Sequence, residues 1–389
     1  MKICFVGPTM GECGGMQRVI AGAANALAEH HKVDLISYYN RQETSYYPLH
    51  PSIELINKNQ SYITGKSLLR RAVQWVVRQW KPVLPAALAA YAYYPKKMVS
   101  DLAETLQKGG YDCVIASGAQ ATIPLGMAAP RLKGMRLIGW HHNSYGIYFQ
   151  TPGMAFYAQR KLAEKMLAQL DCLVTLTGRD ALEYQEKMHL NCKYIYNPLS
   201  FRSEEKSDVS KKNLLFVSRL EVQQKGLDFL ADIAEELFQR RGYRDWKLQI
   251  VGSGSGYRQL KTWIQERKLM DQVELLGEQK EVQKFYCNAS VFLSTSRWEG
   301  FGVVITEAME CGLPVVAFET DGPMEIISEG ENGYLIPKYQ VEQFADAVEK
   351  LMTDEELRWK MSRNAIKRAG DFYPEKVMEK WEELIRREA

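Results

Sequence analysis

Short apolar runs alternate with segments of helical period along almost the whole chain, and this alternation restricts the fold more than any other feature. Runs at 2–6, 32–37, 113–117, 137–140 and 172–176 have the length and continuous hydrophobicity of strands buried on both faces, with a helical pattern at 17–29 after the first. Such strands, separated by helices, form a parallel sheet covered on both faces. The rhythm breaks at 201–213, where Ser-Glu-Glu-Lys-Ser-Asp and Ser-Lys-Lys read as a linker. It then restarts, with runs at 214–217, 247–251, 273–276, 291–294 and 314–318 and helical patterns at 226–240, 257–267 and 303–310. The expected fold class is α/β, with two Rossmann-like domains at 1–200 and 201–374, facing each other with the carboxyl ends of their parallel strands along an interdomain cleft. The last segment, 375–389, carries Val377, Trp381, Leu384 and Ile385 on one helical face and is expected to pack back on the first domain.

Composition narrows the function classes. With 389 residues, 46% hydrophobic and 11% aromatic, the chain can build two cores and is not disordered. A net charge of +3 does not suit a generic nucleic-acid binder. The charge is unevenly spread, however: residues 58–98 hold eight Lys and Arg and no Asp or Glu, which leaves −5 on everything else. Within it Leu69, Val73, Val76 and Trp80 recur at helical spacing beside Ala72 and Val77, with Lys66, Arg70, Arg71, Arg78 and Lys81 on the other side. Such a helix, within 66–97, suits an anionic membrane surface or a phosphate-rich carrier; an ordinary helix with a solvated basic face fits the pattern equally. Seven scattered cysteines (Cys4, Cys13, Cys113, Cys172, Cys192, Cys287 and Cys311) without a C-x-x-C pair read as free thiols in a reducing cytosol. The longest low-polarity run, 82–94, is too short to span a bilayer, and the N-terminal run lacks the length of a signal peptide, so the expected location is cytoplasmic, with any membrane contact peripheral.

Four constellations could carry chemistry. Gly11, Gly14 and Gly15 lie between the first strand and the first helix, where glycines permit close backbone approach and a helix start offers free amides to an anion; a plain tight turn is the alternative. Arg219, followed by Lys225-Gly226, could bring a guanidinium and an ammonium to one anion, or could be solvated. The most specific run is 296–307: Glu299 precedes Gly300-Phe301-Gly302, a helix opens at Val303, and Glu307 follows eight positions after the first carboxylate. Its turn and helix start would bind a phosphate and its carboxylates would accept hydroxyl hydrogen bonds, as a polyol on a diphosphate requires. Last, His141 and His142 end an apolar strand; neighbours on a strand point to opposite faces, so one of them faces a cleft and the pair is a poor metal chelate. The chain contains no D-x-D and no P-loop, and Gly252-Ser-Gly254-Ser-Gly256 fails the dinucleotide spacing, which disfavours metal-held sugar diphosphates and nicotinamide chemistry.

Taken in order, these motifs resemble the retaining, nucleotide-sugar-dependent glycosyltransferases of family 4, which have the GT-B fold. The resemblance covers almost the whole chain and rests on Gly14-Gly15 with Arg18, His142-Asn143, Asn197-Pro198, Ser218-Arg219, Lys225-Gly226, Gly252 and Gly254, the Glu299/Glu307 pair, Gly312-Leu-Pro314 and Asn332-Gly333. It implies that Arg219 and Lys225 hold the donor diphosphate with Gly14, Gly15 and the amides of Gly300, Phe301, Gly302 and Val303. It implies that Glu307 binds ribose, Gly277 and Glu278 lie at the base, Glu299 contacts donor-sugar hydroxyls, and His142 sits by the sugar on the acceptor side. The reaction it implies moves a hexose or N-acetylhexosamine, with retention and without metal or other cofactor, from a UDP-sugar to a glycan, lipid-linked or polymeric acceptor of a bacterial-type surface polysaccharide. An epimerase on the related fold, or a non-catalytic partner subunit, are the competing classes.

Overall fold

The computed structural model describes residues 1–7, 9–12, 14–38, 44–58, 68–80 and 83–386. Cys13, Lys66, Lys81, the Arg78 side chain and the end of segment 375–389 therefore lie outside the described residues. Two compact units form: Met1–Pro198 with Pro374–Ala389, and Leu199–Tyr373.

In the first unit the chain runs β1 (Lys2–Gly7), α1 (Gly15–Ala28), β2 (Lys32–Tyr38), β3 (Glu54–Lys58), α2 (Leu68–Trp80), α3 (Ala86–Tyr93), α4 (Lys96–Gly109), β4 (Cys113–Ser117), α5 (Ala119–Ala128), β5 (Arg136–Trp140), a π-helical turn (Gly146–Gln150), α6 (Arg160–Leu167), β6 (Cys172–Thr175), α7 (Gly178–Met188) and β7 (Cys192–Tyr194). All seven strands are parallel, in the order β3-β2-β1-β4-β5-β6-β7. The apolar runs of β1 and β4 are buried throughout, as strands covered on both faces must be.

The second unit contains β8 (Asn213–Val217), α8 (Val222–Lys225), α9 (Leu227–Glu235), β9 (Lys247–Val251), α10 (Tyr257–Glu266), β10 (Val273–Gly277), α11 (Gln283–Tyr286), β11 (Val291–Ser294), α12 (Val303–Glu310), β12 (Val315–Phe318), α13 (Asp321–Ile326), β13 (Gly333–Ile336), α14 (Val341–Thr353) and α15 (Glu355–Ala369). Its sheet is parallel too, in the order β10-β9-β8-β11-β12-β13. Finally α16 (Pro374–Ile385) belongs to the first unit. There Trp381 meets Trp140 edge to face at 4.9 Å and Glu382 takes His31 at 2.8 Å. In each sheet the strand order reverses beside its first strand, between β1 and β4 and between β8 and β11. Loops leaving the carboxyl ends of strands at such a reversal are where open α/β sheets bind ligands.

Two expectations are corrected. Segment 201–213 is not a free linker. The backbone N–H of Ser203 and the Lys206 ammonium both donate to Glu310 Oε1 (3.0 and 2.7 Å), Ser207 N–H donates to the Cys311 carbonyl, and Arg358 Nε donates to the Val209 carbonyl. Its polar composition serves a buried carboxylate on α12 as well as solvent. In α2 the expected apolar stripe is split: Val73 and Val77 pack inward, whereas Leu69, Trp75, Val76 and Trp80 are 62, 61, 41 and 75% exposed. The outward surface thus mixes large apolar rings with Arg70 and Arg71 and is not a simple basic face.

Candidate active site

The reversal of the second sheet gathers the most specific motif. The loop after β8 carries Arg219 and runs into α8, which ends at Lys225; the loop after β11 carries Glu299 and leads into α12. Lys225 Nζ lies 2.5 Å from Glu299 Oε2, with both side chains largely buried, and Ser296 Oγ stands 3.4 Å from the same oxygen. The two loops are fastened from below. Gly226 takes φ +61°, and any Cβ there would lie 2.1 Å from the Thr295 carbonyl oxygen, so only glycine allows the approach. Thr295 Oγ1 in turn donates to the Lys225 carbonyl at 2.8 Å. Arg297 donates to both oxygens of Asp228 (2.9 and 2.5 Å) and to the Val222 carbonyl. Gly302, at φ +98°, caps α12 without a side-chain bond, leaving first-turn amides beside Glu299 for an anion.

Other expected donor residues are placed differently. Arg219 is mostly exposed and lies 3.8 Å from Glu221; no contact joins it to Lys225. Glu307 is buried, and Tyr286 donates its hydroxyl to Oε2 at 3.0 Å. Phe301 packs its ring on Phe372, so its contribution to a phosphate would be through its backbone. Gly300 and Val303 are half-buried at the start of α12. Gly277 ends β10 at φ +68°, its carbonyl accepts from Gly252 N–H, and Ser253 Oγ donates to Glu278 Oε2 at 3.0 Å, which brings the expected base loop against the glycine turn after β9.

In the first unit, Gly14 precedes α1 and Gly15 opens it, with nothing within 4 Å of where a Gly15 side chain would begin. The start of α5 adjoins it, since a Cβ on Gly118 would lie 3.1 Å from Met16 Sδ. The histidines separate as strand alternation requires. His141 is fully buried, its Nδ1 2.9 Å from the Tyr184 hydroxyl and its ring among Tyr148, Phe156 and Tyr184. His142 is half-buried over Trp140, with Nε2 2.6 Å from Ser117 Oγ. Burial pushes both down to about 3, so both rings are neutral at physiological pH. An unfolded histidine titrates near 6.5, so protons bind the unfolded chain preferentially between those values. Stability is therefore expected to fall as pH drops through this window, by up to about 1.4 kcal/mol per pH unit for the fully buried His141. Thermal melts from pH 7 to 4 test this: the slope should flatten in His141→Phe.

Two family models match. Residues 13–200 match "Glycosyltransferase Family 4" and 200–368 match "Glycosyl transferases group 1", so the two adjoin and together span nearly the whole chain. The chain belongs to glycosyltransferase family 4. It is 27% identical over 392 residues to an uncharacterized glycosyltransferase of Haemophilus influenzae, covering 99% of each protein. It is 29% identical to the amylovoran biosynthesis glycosyltransferase AmsD of Erwinia amylovora over 59% of this chain and 66% of that one. By fold it is similar to S. aureus TarM, solved with fondaparinux, alpha-GlcNAc-glycerol and UDP, at a TM-score of 0.73 over the full length of both and 16% identity. The fold class is accordingly GT-B.

Several residues that shape this glycosyltransferase's site carry no signal that spacing reveals. Ser117 reaches His142 only because β4 pairs with β5 in a register that sets Ser117 opposite Trp140. Tyr286 reaches Glu307 from α11, a helix too short to leave a period. Arg297 stood inside the recognised motif, yet its partner Asp228 lies 69 positions away.

Proposed function

We propose that this glycosyltransferase moves a hexose or N-acetylhexosamine from a UDP-sugar to a glycan or lipid-linked acceptor in surface polysaccharide synthesis, with retention of configuration and without metal. The observation that carries the reading is the 2.5 Å Lys225–Glu299 pair at the start of α12, at the reversal of the second sheet. Breaking the glycosyl–phosphate bond develops negative charge on the leaving diphosphate and positive charge on the sugar. The Lys225 ammonium, the amides at the start of α12 and, from its exposed loop, Arg219 stabilise the first without proton transfer. Glu299, on the other side of Lys225, accepts hydroxyl hydrogens of the sugar and acts as a positioning carboxylate, with no covalent bond to the sugar. His142, neutral and held by Ser117, serves the sugar on the acceptor side. The UDP in the TarM complex and the amylovoran biosynthesis in AmsD's name support the donor and the pathway class.

A thermal-shift series with UDP- and GDP-sugars, each with and without EDTA, tests the donor. A ligand at 100 times its dissociation constant stabilises by about 2.7 kcal/mol. A shift with UDP-sugars that EDTA leaves unchanged is expected; no shift with any nucleotide sugar rejects the reading. Conversion of the nucleotide sugar to its epimer, with no acceptor present and no net release of UDP, would instead indicate an epimerase.

The outer face of α2 supports peripheral attachment to the inner face of the cell membrane. Trp75 and Trp80 stand exposed near Arg70 and Arg71, and no acidic residue occurs between Lys58 and Met98, which complements an anionic lipid surface. Among the described residues no helix is long and apolar enough to cross a membrane. Flotation with vesicles containing anionic lipid at low salt should carry the protein upward, and Trp75→Ser/Trp80→Ser should abolish it; equal flotation of the variant rejects the surface.

A further inference from the structure

In the second unit, a tight turn follows β13 and leads into α14, and Gln340 N–H donates to the Pro337 carbonyl at 3.2 Å across it. The third residue of that turn, Tyr339, takes φ +73°. Glycine or asparagine ordinarily fills such a place, because the left-handed region sets the Cβ of a bulkier residue against the following carbonyl oxygen. Among the described residues two other non-glycines share the region, His189 and Lys268. Both lie just past the end of a helix, α7 and α10, where a left-handed residue closes the last turn. Tyr339 ends no helix. Burial does not account for it either, since the residue is 53% exposed. Backbone held in a sparsely populated region persists only where its surroundings fix it, and such places gather at functional sites.

What the tyrosine obtains there is a stack. Its ring lies on Phe229 of α9, with centroids 5.3 Å apart and planes 28° from parallel, a geometry that aromatic pairs favour. Phe229 in turn touches both loops that carry the candidate site. The Arg297 guanidinium lies 4.3 Å over its ring, and a Cβ on Gly226, the residue after Lys225, would lie 3.1 Å from its Cδ2. Phe318, at the end of β12, meets it edge to face at 5.5 Å. We propose that Tyr339 is a positioning residue for Lys225: its ring holds Phe229 against Gly226 and Arg297, and so fixes where the ammonium stands. The inference rests on the reading of Lys225 as the group that meets the donor diphosphate, and extends it to an exposed residue on another loop. Without the tyrosine ring, one side of Phe229 opens to water, and Gly226 and Arg297 lose the surface that keeps their neighbour in place.

Calorimetric titration of the full chain with UDP, and in parallel with GDP, tests this. Tyr339→Gly suits the turn and removes the ring, whereas Tyr339→Phe keeps the ring and loses only the hydroxyl. The Kd of the bound nucleotide should weaken about tenfold in Tyr339→Gly, as expected when one charge-assisted contact to a phosphate loosens, and should stay at the wild-type value in Tyr339→Phe. A residue that acts through Lys225 has nothing to position once the lysine is gone. Adding Tyr339→Gly to Lys225→Ala should therefore weaken binding no further, whereas independent effects would multiply. Wild-type affinity in Tyr339→Gly, equal losses in Tyr339→Phe and Tyr339→Gly, or the same tenfold loss on the Lys225→Ala background would each overturn the inference and leave the donor reading standing. A wild-type chain that binds neither nucleotide rejects the donor reading, and the inference with it.

Discussion

Lys225→Ala is expected to lower kcat by about 10²–10³, the range seen when a single donor to a developing anion is removed. The lysine lies 2.5 Å from Glu299 and is largely buried, so little water is at hand to replace it. The diphosphate gains charge as the glycosyl bond breaks, so the interaction strengthens toward the transition state, and kcat should fall by more than KM rises. Glu299→Gln should show the complementary pattern: the lysine stays free to meet the phosphate, and the lost contacts are those with the sugar. UDP should therefore still stabilise Glu299→Gln in a thermal-shift assay, while its effect on Lys225→Ala should shrink. Initial rates with purified variants decide the matter. If Lys225→Ala keeps more than a tenth of wild-type kcat, Lys225 is not the group that meets the leaving diphosphate.

That pair shows how far the sequence alone reaches. The parallel sheets, the restart of the pattern after residue 213 and the amphipathic last helix follow from hydrophobic period, because buried parallel strands have nothing polar to hide them. The edge strands β3 and β7 escape notice for the opposite reason. β3 is half polar and only partly buried, and β7 has three residues. The motif residues could be named, but their partners could not. Nothing local in Lys225 says that its ammonium spends the resting state on Glu299, 74 positions away. Glu307 and Glu310 look alike as helix carboxylates, yet one receives the Tyr286 hydroxyl and the other receives Ser203 and Lys206 from the stretch read as a linker. Strand alternation predicts that His141 and His142 part; which of them enters the core depends on the aromatic side chains waiting there, Tyr148, Phe156 and Tyr184, brought in from later elements of the chain.

Arg297→Met should combine a loss of stability with a loss of rate, because this guanidinium holds the Lys225–Glu299 geometry from behind. It spans both oxygens of Asp228, donates to the Val222 carbonyl at the start of α8 and lies 4.3 Å over the Phe229 ring, while its own backbone N–H donates to the Gln224 carbonyl. The carboxylate partner lies in the first turn of α9, where the helix dipole favours it. Methionine fills much of the space but leaves Asp228 unpaired in a partly buried setting. Breaking one side of a buried pair costs about 3–5 kcal/mol, and Asp228 is 33% exposed, so about 2 kcal/mol is the reasonable expectation here. For a unit of this size that corresponds to a fall of roughly 4–8 °C in Tm. The displaced loop should cost about 10² in kcat/KM, since an ångström of misplacement suffices for that. Asp228→Asn, which retains one acceptor oxygen, should lose less of both. A variant that melts with the wild type yet loses the rate would mean that Arg297 acts on the donor itself; if Arg297→Met changes neither, the loops after β8 and β11 keep their register by the Thr295–Gly226 contact alone.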